Sequence, residues 1–388
     1  MKYDFDTLID RRGTNSYKWN LPQHSDVIPM WVADMDFRTA PAIVEALKRR
    51  VDHGIYGYVT VPDAFYQAAI DWFSRRHSWH IERDWMLYTS GVVPALSAII
   101  KAFTQPGDKV AVQTPVYNCF FSSIRNNGCH IVESPLIATG DTYVIDYDSL
   151  EQVTSDPQVK LLLLCNPHNP TGRVWTRHEL ARLGEICMRN GVIIVSDEIH
   201  CELTMPGIDY VPMASISPEL QDHCITCVSP SKSFNTAGLQ IAIMATDNAE
   251  WRQKIDRAVN DNEVCDVNPF GVEALIAAYN QGEDWLDELR AYLHGNYQAL
   301  KEFFSQNMPA CRVTRLEGTY LVWVDITSTG LTSDALTERL LRDGHVWVNS
   351  GTMYGKHAGE GYIRINIACP RSRMLQGLAR IAQVINHL

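Results

Sequence analysis

The chain has 388 residues, of which 46% are hydrophobic and 20% are charged, and its formal net charge is −11. This length favours a large domain accompanied by a smaller one, and the composition is typical of a globular protein rather than a disordered or fibrous one. The negative balance argues against a nucleic-acid partner, because Lys and Arg patches drive binding to phosphate backbones.

The sequence carries no sign of export or membrane insertion. The N-terminal stretch MKYDFDTLIDRRG is mixed in charge and lacks the apolar segment of a secretory signal. The strongest apolar runs, KLLLLC and VIIVS, are far shorter than the ~20 residues that a membrane-spanning helix needs. We therefore predict a cytoplasmic protein without a membrane partner.

Cysteine and histidine spacings predict no metal site. The ten cysteines follow no framework, and we expect them to be reduced and mostly buried. Cys224 and Cys227 fall on a predicted strand, where residues three apart point to opposite faces. His77 and His80 lie on a polar stretch without a carboxylate or thiolate at ligand spacing, so we predict surface histidines.

The N-terminal and middle parts of the chain differ in their patterns. Residues 1–40 have few periodic features, and we predict that they pack with the smaller domain. After them, apolar strands alternate with amphipathic helices, which predicts an α/β fold with a mostly parallel sheet covered on both faces. We assign this pattern to a large domain of residues 41–285. The predicted strands are 109–115, 161–167, 192–198, 225–231 and 241–246, and the clearest helix is 178–191.

The C-terminal part reads as a smaller α+β unit. A long helix is predicted from about Glu283 to Asn307, and another helix begins at Pro370. Between them lie two strands, 319–326 and 361–368, and a helix over 333–344. We interpret residues 286–388 as the small C-terminal domain.

Unusual residues follow the predicted strands, at the sheet edge where open α/β sheets bind their ligands. NPHNPTG (166–172) follows one strand, and the acidic pair that begins at Asp197 follows the next, where burial without a partner is costly. Tyr117 follows a third strand, and a Ser-Gly turn at 90–91 precedes a helix whose N-terminus offers an anion site. Taken singly, each also fits a plain turn, a helix cap, an ion pair or a packed aromatic.

Lys232 lies in SPSKSFNTAG, where the strand over 225–231 ends. A solvated lysine is almost wholly protonated at neutral pH, whereas desolvation lowers its pKa and frees the amine to form an imine. The hydroxyls of Ser229 and Ser231, three residues and one residue earlier, suit a phosphate. A ligand with a phosphate, a flat cationic ring and an aldehyde uses all of these features, and pyridoxal phosphate is such a ligand.

The chain resembles the fold-type I pyridoxal-phosphate enzymes, the aspartate aminotransferase superfamily. The resemblance covers nearly the whole chain and rests on SGVV, TPVY, NPHNPTG, SDEIH, SPSKSFN and YIRINIACP, in the family's order. It implies that family's fold, a large α/β domain with a mostly parallel sheet plus a smaller α+β domain. Three longer segments, PMWVADMDFRTAP, HGIYGY and RINIACPRSRM, resemble the bacterial cystathionine β-lyase group, which includes the maltose-regulon modulator protein.

The resemblance implies a role for each matching residue. Lys232 is implied to bond to the cofactor aldehyde and to move the substrate proton. Asp197 is implied to pair with the pyridine nitrogen, Asn169 to bond the ring 3-oxygen, and Tyr117 to stack on the ring. Arg364 is implied to bind the substrate α-carboxylate, which suits a bidentate guanidinium. The phosphate is implied to contact the backbone of Gly91, Val92 and Val93 and the hydroxyls of Ser229 and Ser231.

One further residue and two departures from the family pattern complete the predicted site. Tyr58 resembles the tyrosine that reaches the phosphate from a neighbouring subunit, which implies a homodimer. His200 stands where the family often has a tyrosine near the ring 3-oxygen, and it is kept among the predicted cofactor contacts. Gln240 stands where an arginine often binds the phosphate, which leaves that contact to hydroxyls and backbone amides.

These resemblances predict a pyridoxal-phosphate-dependent carbon–sulfur β-lyase. Its substrate is a small sulfur-containing amino acid, and its products are a thiol, pyruvate and ammonia. An aminotransferase would use the same Lys232, Asp197 and Arg364, and it is the first alternative. The second alternative is a regulatory protein that contacts a transcription activator. The sequence does not identify the thiol that leaves.

Overall fold

The computed structural model describes residues 2–20, 26–261, 263 and 266–388. The helices are α1 (Pro41–His53), α2 (Asp63–His77), α3 (Val92–Phe103), α4 (Asn118–Asn126), α5 (Tyr147–Thr154), α6 (Arg177–Arg189), α7 (Pro218–Asp222), α8 (Ala249–Asn260), α9 (Pro269–Gln281), α10 (Glu283–Asn307), α11 (Ser333–Arg342) and α12 (Arg371–Ile385). The strands are β1 (Ile28–Pro29), β2 (Met86–Thr89), β3 (Lys109–Val112), β4 (His130–Glu133), β5 (Ile137–Thr139), β6 (Thr142–Val144), β7 (Val159–Cys165), β8 (Ile193–Asp197), β9 (Cys224–Val228), β10 (Ala242–Ala245), β11 (Arg312–Val313), β12 (Leu321–Asp325), β13 (Val346–Trp347), β14 (Asn349–Ser350) and β15 (Tyr362–Asn366).

A seven-stranded sheet forms the centre of the molecule, in the order β2-β10-β9-β8-β7-β3-β4. Neighbouring strands from β9 to β4 are parallel, as the alternating pattern predicts. β10 is antiparallel to both of its neighbours, so the sheet is mostly parallel, as predicted, and not wholly so. The link from β9 to β10 contains a short 3₁₀ turn and no helix. Two neighbouring strands can be parallel only if a long crossover connects them, so β10 runs antiparallel to β9.

Both faces of the central sheet are buried, which explains the unbroken apolar run of β7. Leu161 and Leu163 face one core, where they join residues of α3, α4 and α8. Leu162 and Leu164 face the other core, with Leu180 and other residues of α6. Successive side chains of a strand point to opposite faces, so covering both faces requires apolar residues at every position.

A second sheet, in the order β11-β12-β15-β14, is antiparallel throughout. α10 and α11 contact it, and α12 packs on both of these helices. The N-terminal segment reaches this region because β1 pairs with β13, with Ile28 opposite Val346. α10 is one unbroken helix, and the boundary placed between residues 285 and 286 falls in its first turn. The division into 1–40, 41–285 and 286–388 stays a prediction, and residues 1 and 21–25 of the first segment lie outside the described residues.

Among the described residues, no helix combines the length and the apolar character that spanning a bilayer demands. The cysteines among the described residues are free thiols, and all of them except Cys119 are buried. Cys265 lies outside the described residues.

Candidate active site

A cavity of about 290 Å³ opens where β7, β8 and β9 end, and we call it the main cavity. The predicted site residues that line it are Gly91, Val92, Val93, Tyr117, Asn169, Asp197, His200, Ser231 and Lys232. Ser229, Arg364 and Tyr58 are the predicted residues that do not line it. Parallel strands bring their carboxyl ends to one edge of the sheet, so residues far apart in the chain meet in this cavity.

Lys232 is held by the backbone of the N-terminal segment. Its Nζ donates a hydrogen bond of 2.7 Å to the carbonyl oxygen of Ala33, which also accepts a bond of 3.0 Å from the Tyr320 hydroxyl. Burial lowers the pKa of the Lys232 ammonium below its ordinary value, and the positive charge of Arg364 lowers it further. The nearby carboxylates of Asp34 and Asp197 oppose this shift. A larger fraction of this amine is therefore neutral, the form that acts as a base or a nucleophile.

Asp197, the last residue of β8, is a buried carboxylate with one oxygen left open. Its Oδ1 accepts a hydrogen bond of 3.2 Å from the Ile199 amide, and Oδ2 accepts none within the part of the chain that the structure describes. Burial raises the pKa of Asp197 to about 7, although the Ile199 amide and the Lys232 ammonium oppose the shift. A cationic donor in the cavity would lower this pKa and stabilise the ionised form.

The cavity floor contains a helix N-terminus suited to an anion. α3 begins at Val92, and the first-turn amides of Val92 and Val93 have no partner within the helix. Gly91 precedes them with φ +157°, a conformation that side chains rarely adopt. Ser231, which is predicted to contact the phosphate, lines the same cavity. The Ser229 hydroxyl instead donates to the Ile241 carbonyl at 2.7 Å and accepts from the Ser231 amide at 3.1 Å.

Arg364 lies on β15, one hydrogen bond away from the main cavity. Its Nη1 donates to Asn169 Oδ1 at 3.0 Å, and its Nη2 donates to the carbonyl oxygen of Trp31 at 2.7 Å. The Tyr354 ring lies 4.8 Å from the guanidinium carbon. These contacts fix the orientation of a buried cation and leave its Nε without a partner among the described residues. Anchoring of this kind suits a group that must bind a carboxylate in one orientation.

Tyr117 and His200 are the ring systems of the main cavity. Burial raises the pKa of Tyr117 well above its ordinary value, and the neighbouring Cys119 adds to the effect. Burial lowers the pKa of His200 well below its ordinary value, and the charges of Lys232 and Arg364 lower it further. His200 is therefore neutral at physiological pH, and its buried Nδ1 has no hydrogen-bond partner among the described residues.

Tyr58 lies outside the main cavity, on the segment between α1 and α2. It is 97% exposed, and Ile55 and Tyr56 on the same segment are exposed as well. A side chain in this position would need a second copy of the chain to bring it to a cavity. Its predicted role across a dimer interface stays a prediction.

Several cavity residues were not among the predicted site residues. Gln240 lines the cavity, where it was named only as a departure from the family pattern. Ser90 directly precedes Gly91, and Cys165 is the last residue of β7, so their positions at strand ends offered a signal. Ala33 acts through a carbonyl oxygen contributed from a segment nearly 200 residues before Lys232, and its side chain gives no such signal. The other unpredicted lining residues are Pro94, Ile199, Ala237 and Ile241.

The prediction that His77 is a surface histidine is wrong, because its side chain is only 10% exposed. His77 Nε2 lies 2.6 Å from Glu202 Oε1, and the Cys201 thiol completes a cluster within 4.8 Å. Both partners come from a distant segment that the fold places beside the end of α2. Glu202 also accepts hydrogen bonds from Trp72 at 2.7 Å and Arg76 at 2.9 Å, so its negative charge is already compensated by a guanidinium. His80 is exposed and pairs with Ser74.

The main cavity fits pyridoxal phosphate on three independent observations. Asp197 presents an unpartnered carboxylate oxygen to a cationic ring nitrogen. The N-terminus of α3 presents free amides to a phosphate. Lys232 presents a partly neutral amine to an aldehyde. The cofactor has a complement for each of these three features.

Comparison with known proteins agrees with this geometry. Residues 25–381 match the family model described as aminotransferase class I and II. Cystathionine beta-lyase PatB of Bacillus subtilis strain 168 is 42% identical over 387 residues, which cover 99% of this chain and 100% of PatB. Protein MalY of Escherichia coli K12 is 32% identical over 389 residues, with 99% of each chain covered. The crystal structure of cystalysin from Treponema denticola, which contains a pyridoxal 5′-phosphate cofactor, superposes with a TM-score of 0.96 at 34% identity and full coverage of both chains.

The predicted family and fold class are therefore confirmed. The match extends through both sheets, so the resemblance that rested on six short motifs holds for the chain as a whole. The chain belongs to the aminotransferase class I and II family, with the fold-type I architecture.

Proposed function

We propose that the protein is a pyridoxal-phosphate-dependent carbon–sulfur β-lyase. It converts a sulfur-containing amino acid and water into a thiol, pyruvate and ammonia. The observation that carries the proposal is the meeting of Lys232 and Asp197 in one cavity with the N-terminus of α3. The relation to cystathionine beta-lyase PatB over the full length of both chains supports this chemistry within the family.

Lys232, Asp197 and Arg364 each have a task in this reaction. When bound, pyridoxal phosphate supplies an electron sink beside the substrate Cα. Arg364 binds the α-carboxylate and so orients Cα toward Lys232. The neutral amine of Lys232 removes the Cα proton, a form of general-base help that is typically worth about 10²–10⁴ in rate. Loss of this proton would let the thiolate leave from Cβ, and the ionised carboxylate of Asp197 would hold the cationic ring of the cofactor.

A pyruvate assay separates the lyase from an aminotransferase. We expect the purified holoenzyme to release pyruvate from cystathionine or an S-alkylcysteine over many turnovers, with no keto acid added. The reason is that elimination regenerates the starting enzyme, whereas a half-transamination leaves the cofactor in its amine form. A single stoichiometric burst, restored by adding a keto acid, would contradict the lyase function and favour the aminotransferase.

We further propose that the enzyme is a homodimer in which Tyr58 completes the site of the partner subunit. The exposed segment that carries Tyr58 supports this arrangement, because Ile55 and Tyr56 would be buried by a second copy. We expect a Tyr58→Ala variant and a Lys232→Ala variant to be inactive or weak alone and to regain activity when they are refolded together.

Activity of the mixture shows whether Tyr58 acts in its own subunit or in the site of the partner subunit. A mixed dimer contains one site with an intact Lys232 and an intact Tyr58 only if the tyrosine comes from the other subunit. If the activity of the mixture equals the sum of the separate variants, Tyr58 does not act across the interface.

The cytoplasmic location and the regulatory contact with a transcription activator stay predictions.

A further inference from the structure

A second cavity, also of about 290 Å³, adjoins the main one, and we call it the N-terminal cavity. Its walls include Arg11, Asp34, Arg38, Asn235 and Gly238. Ala237 lines both cavities, and Ala33 of the main cavity directly precedes Asp34 of the second. The two cavities are therefore neighbours that share a wall at Ala237.

The carboxylates of the N-terminal cavity are already neutralised. Arg11 bridges Asp34 and Asp36, with 2.8 Å from nitrogen to oxygen in each pair. Lys18 lies 2.9 Å from Asp36 and 3.5 Å from Asp34, and it is almost fully buried. Two cations and two anions thus form a closed network, and this network has no charge left for a ligand.

Arg38 lies outside this network, and it also lines a further cavity whose wall includes Asp4 and Glu45, with neither of which it forms an ion pair. It is exposed, and it makes no hydrogen bond or ion pair with the part of the chain that the structure describes. The wall beside it is rigid, because Asn235 accepts a bond from the Met35 amide and donates to the carbonyls of Met35 and Phe37. Counted with the buried Lys18 behind the wall, Arg11, Lys18 and Arg38 carry one positive charge more than Asp34 and Asp36, and a single carboxylate would balance it.

We propose that the N-terminal cavity binds the leaving-thiol half of the substrate and that Arg38 recognises a carboxylate on that half. This inference rests on the proposed β-lyase function. The favoured substrates are then S-substituted cysteines whose substituent ends in a carboxylate, with Arg364 holding the α-carboxylate and Arg38 the distal one. A guanidinium suits the second task because it binds carboxylate oxygens through two parallel hydrogen bonds.

A matched pair of substrates tests the role of Arg38. S-(2-carboxyethyl)-L-cysteine and its amide, S-(2-carbamoylethyl)-L-cysteine, differ little in size and differ in charge. We expect kcat/KM to favour the carboxylate about fivefold in the unaltered holoenzyme, mainly through KM, as fits one partly exposed ion pair. Arg38→Gln should remove this preference, because kcat/KM for the carboxylate should fall to the value for the amide. The control is Arg49→Gln, which alters an exposed arginine of α1 outside both cavities and should retain the preference.

Ionic strength provides a second readout. Salt should raise the KM of the carboxylate substrate in the unaltered enzyme and in Arg49→Gln, but not in Arg38→Gln, because mobile ions screen a partly exposed pair. Equal kcat/KM for the two substrates in the unaltered enzyme would overturn the subsite, as would a preference that survives Arg38→Gln. If the amide and the carboxylate both released no pyruvate, the β-lyase function itself would be rejected, a result distinct from the loss of discrimination alone.

Discussion

Replacing Lys232 with alanine is expected to lower kcat/KM for pyruvate release by about 10⁴-fold or more. The amine is the only lysine nitrogen that lines the main cavity of the described chain, and it is held there by the Ala33 carbonyl. Its loss removes both the group that bonds to the cofactor aldehyde and the base that takes the Cα proton. The measurement is steady-state pyruvate release at saturating cofactor.

Three comparisons make the Lys232 result specific. Lys254→Ala removes an exposed lysine of α8 and should leave the rate unchanged. Lys232→Arg keeps a positive charge but offers no amine of suitable pKa, so it should be as inactive as the alanine variant. Borohydride treatment should label position 232 of the unaltered protein and no position in either variant. Activity of Lys232→Ala within tenfold of the unaltered enzyme would remove the basis of the proposed mechanism.

The sheet was predictable where local pattern and tertiary environment agree. The unbroken apolar run of β7 encodes burial on two faces. β10 was predicted as a strand, but its direction was not, because direction depends on the link before it rather than on its own residues. The direction of a strand is a property of connectivity, which single-strand patterns do not carry.

The site was predictable where side chains follow strands and was not where the backbone acts. Asp197 ends β8 and Asn169 and Tyr117 follow strand ends, and the fold brings all three into one cavity as the rule for open sheets predicts. The carbonyl oxygen of Ala33 has no sequence signature, because every residue has one. The partners of His77 were missed for another reason: contact between α2 and residues 201–202 is set by helix packing over more than 120 residues of chain.

Replacing Asp197 with asparagine is expected to have opposite effects on the apoprotein and on the holoenzyme. In the apoprotein the buried carboxylate has a pKa raised to about 7, compared with an ordinary value of 3.8, so the folded state binds the proton more tightly than the unfolded state. The stability contributed by this group is present at low pH and is lost as pH rises toward and through 7. Asparagine cannot ionise, so the variant apoprotein should be more stable at pH 8, by about 2–4 kcal/mol.

Urea unfolding of the two apoproteins at pH 5 and pH 8 measures this difference. The gap between them should widen from the lower to the higher pH, because only the unaltered protein must keep a desolvated charge at pH 8. Asp256→Asn, an exposed carboxylate on α8, serves as the control and should change stability little at either pH. Lower stability of the Asp197→Asn apoprotein at pH 8 would mean that the carboxylate is a structural group, satisfied by the protein itself.

In the holoenzyme the same substitution should lower kcat by about 10²–10³-fold, because it removes a preorganised charge opposite the electron sink. Cofactor affinity should fall as well, measured as release of the cofactor on dilution. A carboxylate that destabilises the apoprotein but is required for activity of the holoenzyme is typical of a binding site. A residue needed only for folding would stabilise both forms, so its replacement would harm both. Asp197→Asn therefore separates the functional from the structural interpretation of the buried acid at the end of β8.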